Sequence, residues 1–145
     1  MNTLLDDVRN EIINLHDFFV SWFNGTVRQD ELDSKFLSKL DKNLTFIAPE
    51  GSVFSVSDLA TNFQQAYGIN KEFRIQIRDV KICQTMTDHI LVTYTEWQVG
   101  AKASEKSSNA RITSALITKA KPFKWLHIQE TWLPESVRSA DSFNF

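Results

Sequence analysis

The chain reads as an α+β domain with helices on one face of a curved, mostly antiparallel sheet, and two observations carry that reading. In the first half, apolar residues recur at helical spacing; from Phe73 onward they alternate with polar ones. The second half then holds three long alternating runs, DHILVTYTEWQVG, SNARITSALITKA and FKWLHIQETWLP. They are separated by a polar loop, AKASEKSS, and a compact turn, KAKPF, which is the pattern of a meander.

Each element has its own signal. Thr3 and Asp6 form a capping-box signature, and Leu4, Leu5, Val8, Ile12, Leu15, Phe19, Trp22 and Phe23 share a helical face until Asn24-Gly25 stops the run. A second helix is expected from about Asp30, with Leu32, Phe36, Leu37 and Leu40 on one face. Its acidic start and lysine-bearing end suit the helix dipole. Leu44 to Ala48 reads as a short strand ended by Pro49, with a turn at Glu50-Gly51 and a brief return through Val53-Phe54. Ser55 and Asp58 open a third helix, with Leu59, Phe63, Ala66 and Tyr67 inward and Gly68 closing it; no helix is expected beyond that point. Phe73, Ile75 and Ile77 then alternate with Arg74, Gln76 and Arg78, and the inward phase moves to Val80 and Ile82. A bulge at Asp79 accounts for the change.

Composition bounds the function. A chain of 145 residues, 42% hydrophobic and 23% charged, buries roughly two thirds of its unfolded surface as one domain, residues 1–145. A net charge of −2 and a pI near 5.9 supply no basic field, so neither nucleic acid nor an anionic membrane is an expected partner. The lone Cys83 forms no internal disulfide and reads as a buried structural thiol, and His16, His89 and His127 lack metal-ligand spacing. No metal or cofactor is expected. The acidic start MNTLLDDV lacks the charge and apolar run of a secretory signal, and no segment approaches the ~20 apolar residues of a membrane span, so the expected location is cytoplasmic.

Alternation along the last three strands sorts their residues into two faces. One collects Ile90, Val92, Tyr94 and Glu96, then Arg111, Thr113, Ala115 and Ile117, then Leu126, Ile128, Glu130 and Trp132. Two acids and a guanidinium among such apolar neighbours are costly to desolvate, so they are expected to pair with one another or to line the mouth of a cavity. Arg111, Glu96, Tyr94, Glu130 and Trp132 are the candidate ligand-binding residues. The other face holds Leu91, Thr93, Trp97, Ile112, Leu116, Trp125 and His127, too apolar and aromatic for open solvent. That composition predicts a homodimer through Trp97, Leu116, Trp125 and His127.

The element order, with Arg111 opening the penultimate strand in NARITSALI and Trp125 opening the last in KWLHIQETWLP, resembles the nuclear transport factor 2-like superfamily, in particular its SnoaL-like and kinase-association-domain-like branches. The resemblance spans nearly the whole chain. It implies a cone: three helices in the N-terminal half wrapped by a strongly bent sheet, an open concave pocket, and frequent dimerisation through the convex face. It also implies a scaffold shared by isomerases, dehydratases, cyclases and assembly modules, so the fold leaves function open. Similarity to the kinase association domain places Arg111 in the pocket.

Three roles remain for the ionic cluster. It holds the cone together, or it anchors a ligand, or it catalyses. Ketosteroid isomerase-like and cyclase members remove a proton beside a carbonyl with a carboxylate, which gives Glu130 or Glu96 as base and Tyr94 as oxyanion donor. Arg111 argues against a basic carboxylate, because a guanidinium stabilises the ionised form; it favours capture of a ligand carboxylate or phosphate. The ligand expected on this basis is a small, apolar molecule with an anionic or carbonyl end, and the alternative is a dimeric interaction module with no catalysis. His16 beside Asp17 suggests a dyad, but adjacent helical positions diverge by about 100°, so His16 is expected at the rim or in solvent.

Overall fold

The computed structural model describes residues 2–102 and 106–145. The polar loop AKASEKSS therefore falls partly outside the described residues. The first helix, α1 (Leu4–Asn24), starts at a capping box in which Thr3 Oγ1 accepts from the Asp6 amide at 3.1 Å and Asp6 Oδ2 accepts from the Thr3 amide at 3.2 Å. It ends at Gly25, whose φ of +77° suits glycine. Its buried stripe is Val8, Ile12, Leu15, His16, Phe18 and Trp22.

The expected second helix is broken. The span forms a 3-10 turn (Gln29–Glu31), a single α-turn α2 (Leu32–Lys35) and another 3-10 turn (Leu37–Lys39). Phe36 leaves helical geometry at φ −135°, and both Leu32 and Phe36 are buried. The apolar spacing was real, but a run this short holds its shape by packing rather than by helix propagation. Leu40 accordingly starts β1 (Leu40–Ile47), longer than the expected strand, with β2 (Val53–Phe54) returning beside it. Helix α3 (Val56–Ala66) begins at the expected Ser55–Asp58 capping box.

The strands β3 (Arg74–Thr85), β4 (His89–Val99), β5 (Asn109–Thr118) and β6 (Trp125–Trp132) complete a six-stranded sheet of order β2-β1-β6-β5-β4-β3. All pairs are antiparallel except β1 with β6. The three helices lie against one face, the α+β arrangement the sequence predicts. The bulge is where the sequence placed it: Asp79 has φ +56°, the β3–β4 register shifts between Arg78 and Lys81, and Ile77, Val80 and Ile82 all meet the core.

The register shift between Leu116 and Ile117 pairs Ile117 with Trp125 and leaves Leu126 as the extra residue. This turns Trp125 to the helix-covered side, where it is fully buried. The expectation that Trp125 belongs to the outer face is therefore corrected. Trp97 does lie on that outer face, but its own chain covers it. Arg78 stacks 4.3 Å from its ring centre and Phe143, in a C-terminal 3-10 turn (Ala140–Phe143), packs at 5.5 Å. Helical turns thus do occur beyond Gly68. Cys83 is exposed rather than buried, its Sγ 3.4 Å from Thr93 Oγ1. No helix among the described residues is long and apolar enough to cross a membrane.

Candidate functional site

Between the helices and the sheet lies a cavity of about 160 Å³. Phe19, Phe36, Phe63 and Trp125 form apolar walls, and His16, Tyr94, Glu96, Gln98, Arg111 and Glu130 supply the polar lining. Register explains the convergence. Glu96 pairs directly with Arg111 across β4 and β5, and Glu130 pairs with Thr113, one step along the same face from Arg111. The alternation thus brings Tyr94, Glu96, Arg111 and Glu130 together as expected. Trp132 does not line the cavity: it is 40% exposed and carries the Arg111 guanidinium on its ring face at 4.8 Å. Its position near the end of β6 puts it outside the enclosed space.

His16 is the main residue the sequence reading misplaced. It is buried, not at the rim, and its ring lies edge-on to Tyr94 at 5.5 Å. Nδ1 donates to the Ile12 carbonyl at 2.7 Å while Nε2 meets Glu96 Oε1 at 3.1 Å. A carbonyl and an ionised carboxylate both accept, so the pair of contacts favours the doubly protonated ring. Burial alone would lower its pKa, but the Glu96 charge and hydrogen bond outweigh burial and raise it above the ordinary histidine value. The useful signal was position, not the neighbouring Asp17: His16 sits four residues after Ile12 within the apolar stripe of α1. Gln98 and Asn109 were also missed. Each lies one alternation step beyond Glu96 or Arg111, and they pair across the strands.

The two carboxylates have unlike surroundings. Glu96 uses both oxygens, taking His16 on Oε1 and a 2.6 Å hydrogen bond from Gln98 Nε2 on Oε2. Burial pushes its pKa up, but His16 and Arg111 overcome burial and hold the carboxyl at about 2. Among the described residues Glu130 meets only Arg111, whose NH1 group donates to Oε1 at 3.0 Å. Burial and the Glu96 charge prevail there and raise Glu130 to about 7. Burial, then the two carboxylates, keep the Tyr94 phenol protonated far above its usual range. Arg111 spends its NH2 group on Asn109 Oδ1 at 2.9 Å, while its buried Nε has no partner among the described residues.

Trp125 is fixed as a wall because its indole Nε1 donates to Glu11 Oε2 at 3.0 Å, and Glu11 in turn pairs with Lys39 at 2.9 Å. A shallower hollow of about 230 Å³ shares Phe23, Phe73, Gln98 and Arg111 with the cavity and has Lys102 on its lining. Arg111 therefore faces both spaces. No group of three or more potential metal ligands occurs among the described residues.

The sequence profile of the sucrose-6-phosphate phosphohydrolase C-terminal family matches residues 8–134, which covers the site, α1 from Val8 onward and all six strands. The chain belongs to that family. Sucrose-phosphatase 2 of Nicotiana tabacum is 28% identical over 134 residues, covering 85% of this chain and 30% of that protein. This member of the C-terminal family thus spans about 30% of the length of its curated relative. Among solved structures, a nuclear transport factor 2-like protein of unknown function from Pseudomonas aeruginosa is similar with a TM-score of 0.78 and 24% identity, covering 88% of this chain and 98% of the other. A ketosteroid isomerase-like protein from Erwinia carotovora atroseptica has a TM-score of 0.59 at 13% identity, covering 92% and 99% of the two chains. The fold is that of the nuclear transport factor 2-like superfamily, as the sequence resemblance implied.

Proposed function

We propose that this chain is a small-molecule-binding domain whose inner cavity takes a compact, largely apolar ligand and presents Arg111, with Glu130 beside it, to the ligand's carbonyl or anionic end. The observation that carries this reading is the difference between two buried glutamates in one aromatic-walled cavity: Glu96 held ionised near 2, Glu130 raised to about 7. Perturbed, convergent polar groups around an apolar space are what binding and catalytic sites share. A network that only stiffened the fold would account for the pairing of Glu96 with His16 and Glu130 with Arg111. It leaves unexplained the adjoining 160 Å³ of space and the unpartnered Arg111 Nε.

Size supports a small ligand, since an apolar cavity of ~150 Å³ accepts benzene. A sugar phosphate fits the walls poorly, because its hydroxyls would be left unpaired against phenylalanine and tryptophan. The activity named in the tobacco relatives is therefore not assigned to this cavity. A panel of small aromatic and aliphatic acids, aldehydes and amides screened by thermal shift tests the proposal. Stabilisation by some members, weakened in Arg111→Lys because the planar fork is lost, is the expected result. A flat response across the panel contradicts it.

A catalytic reading has one specific observation in its favour. A carboxyl near pH 7 is poised for proton transfer, and Tyr94 beside it remains a donor. An enzyme of isomerase or cyclase type would lose turnover by orders of magnitude in Glu130→Gln while keeping ligand affinity.

A further inference from the structure

We propose that the cavity binds small carboxylic acids as carboxylates and takes up one proton on Glu130 as it does so, the ligand's charge replacing that of Glu130 beside Arg111. This rests on the reading of the cavity as a small-molecule site and specifies its ligand class. Charge balance is the starting point. His16 cancels Glu96 and Arg111 cancels Glu130, so the empty site is neutral with both acids ionised. An added carboxylate would bring an unpaired negative charge into an apolar enclosure, which is strongly unfavourable unless one acid becomes neutral.

Geometry decides which acid accepts the proton. Both Glu96 oxygens are engaged, by His16 and by Gln98, and neutralising it would strand a buried imidazolium. Glu130 has, among the described residues, only the single contact from Arg111. The charged and titratable groups that face it are Arg111 on β5, Glu96 and Tyr94 on β4 and His16 on α1, with Glu50 in the β1–β2 turn acting on Arg111. Burial and the Glu96 charge favour the proton; Arg111 and His16 oppose it, and a ligand carboxylate would offset the Arg111 charge. Once protonated, Glu130 becomes a hydrogen-bond donor beside Arg111. The proton comes from solvent. No bond to carbon changes.

The test is calorimetric titration of benzoate and of neutral, isosteric benzamide at pH 6 and pH 8, each in two buffers of different protonation enthalpy. Benzoate is expected to bind about tenfold more weakly at pH 8 than at pH 6, with uptake close to one proton at pH 8. Benzamide should bind alike at both. Glu130→Gln, already neutral, should hold benzoate with the parent's pH 6 affinity at either pH. Benzoate binding without proton uptake overturns the exchange, and a pH dependence that survives in Glu130→Gln moves the proton to another group. Benzamide binding without benzoate refutes the carboxylate class but leaves the small-molecule reading intact, whereas binding of neither refutes both. If Glu130→Gln fails to fold, the two-buffer measurement on the parent still decides.

Discussion

Glu130 and Glu96 make opposite demands on the pH of the solution. Glu96, lowered from 4.5 to about 2, stabilises the fold above pH 4.5 and loses that contribution as pH falls through 2. Glu130, raised from 4.5 to about 7, favours the fold below 4.5 and loses its contribution as pH rises toward 7. Its displacement corresponds to roughly 3 kcal/mol. His16, raised from 6.5, likewise contributes below that value and less as pH rises through its higher folded value. Stability should therefore peak near pH 4.5 and decline as pH rises through 7, and Glu130→Gln should flatten that decline in a melting series. Arg111→Ala removes the ion-pair partner of Glu130 and should cost roughly 3–5 kcal/mol at pH 8, partly recovered near pH 6 as Glu130 takes a proton. An Arg111→Ala variant as stable as the parent at pH 8 would mean that the guanidinium is solvated. At this scale the sequence was legible where alternation rules apply: Arg111, Glu96, Tyr94 and Glu130 were brought together by parity alone. His16 was not, because its partner lies eighty residues away on a strand and local spacing says nothing of it.

Elements were legible in proportion to how sharply their pattern breaks. The bulge at Asp79 shows in the sequence because the inward apolar set jumps from Ile77 to Val80. The bulge at Leu126 does not, since Trp125, Leu126 and Ile128 are all apolar and either phase reads as a strand. Misreading it placed Trp125 on the wrong face. The end of β4 offers a test of how the cavity mouth is held. Gly100 has φ +70°, an added Cβ would fall 2.5 Å from the Glu72 carbonyl oxygen, and its own carbonyl accepts from Asn70 Nδ2 at 2.6 Å. Gly100→Ala should lower stability by about 1–3 kcal/mol in urea titration. A loss below a few tenths would show that the turn relaxes freely.

At the scale of the whole molecule, the outer sheet face remains a candidate for self-association. Ile112 is 41% exposed there, with Leu91, Leu116 and His127 half-buried around it. Trp97 is less available than its sequence position implied, because Arg78 donates to the Ser142 carbonyl and the C-terminal turn lies over the indole. A dimer at micromolar concentration in sedimentation, weakened by Ile112→Glu, is the expected outcome. A monomer at every concentration contradicts it. The fold was readable because element order and periodicity survive sequence divergence. The link to a family named for sucrose-6-phosphate phosphohydrolases was not, since element order and periodicity are shared by many families of this fold.

The unequal glutamates bear the functional reading, and carbon-detected NMR of the glutamate side-chain carboxyls across pH 2 to 9 measures them directly. One resonance is expected to titrate at about 2 and another at about 7, the latter vanishing in Glu130→Gln. Carboxyls that all titrate between 4 and 5 would show that Glu96 and Glu130 sit in water, and the buried site would not exist.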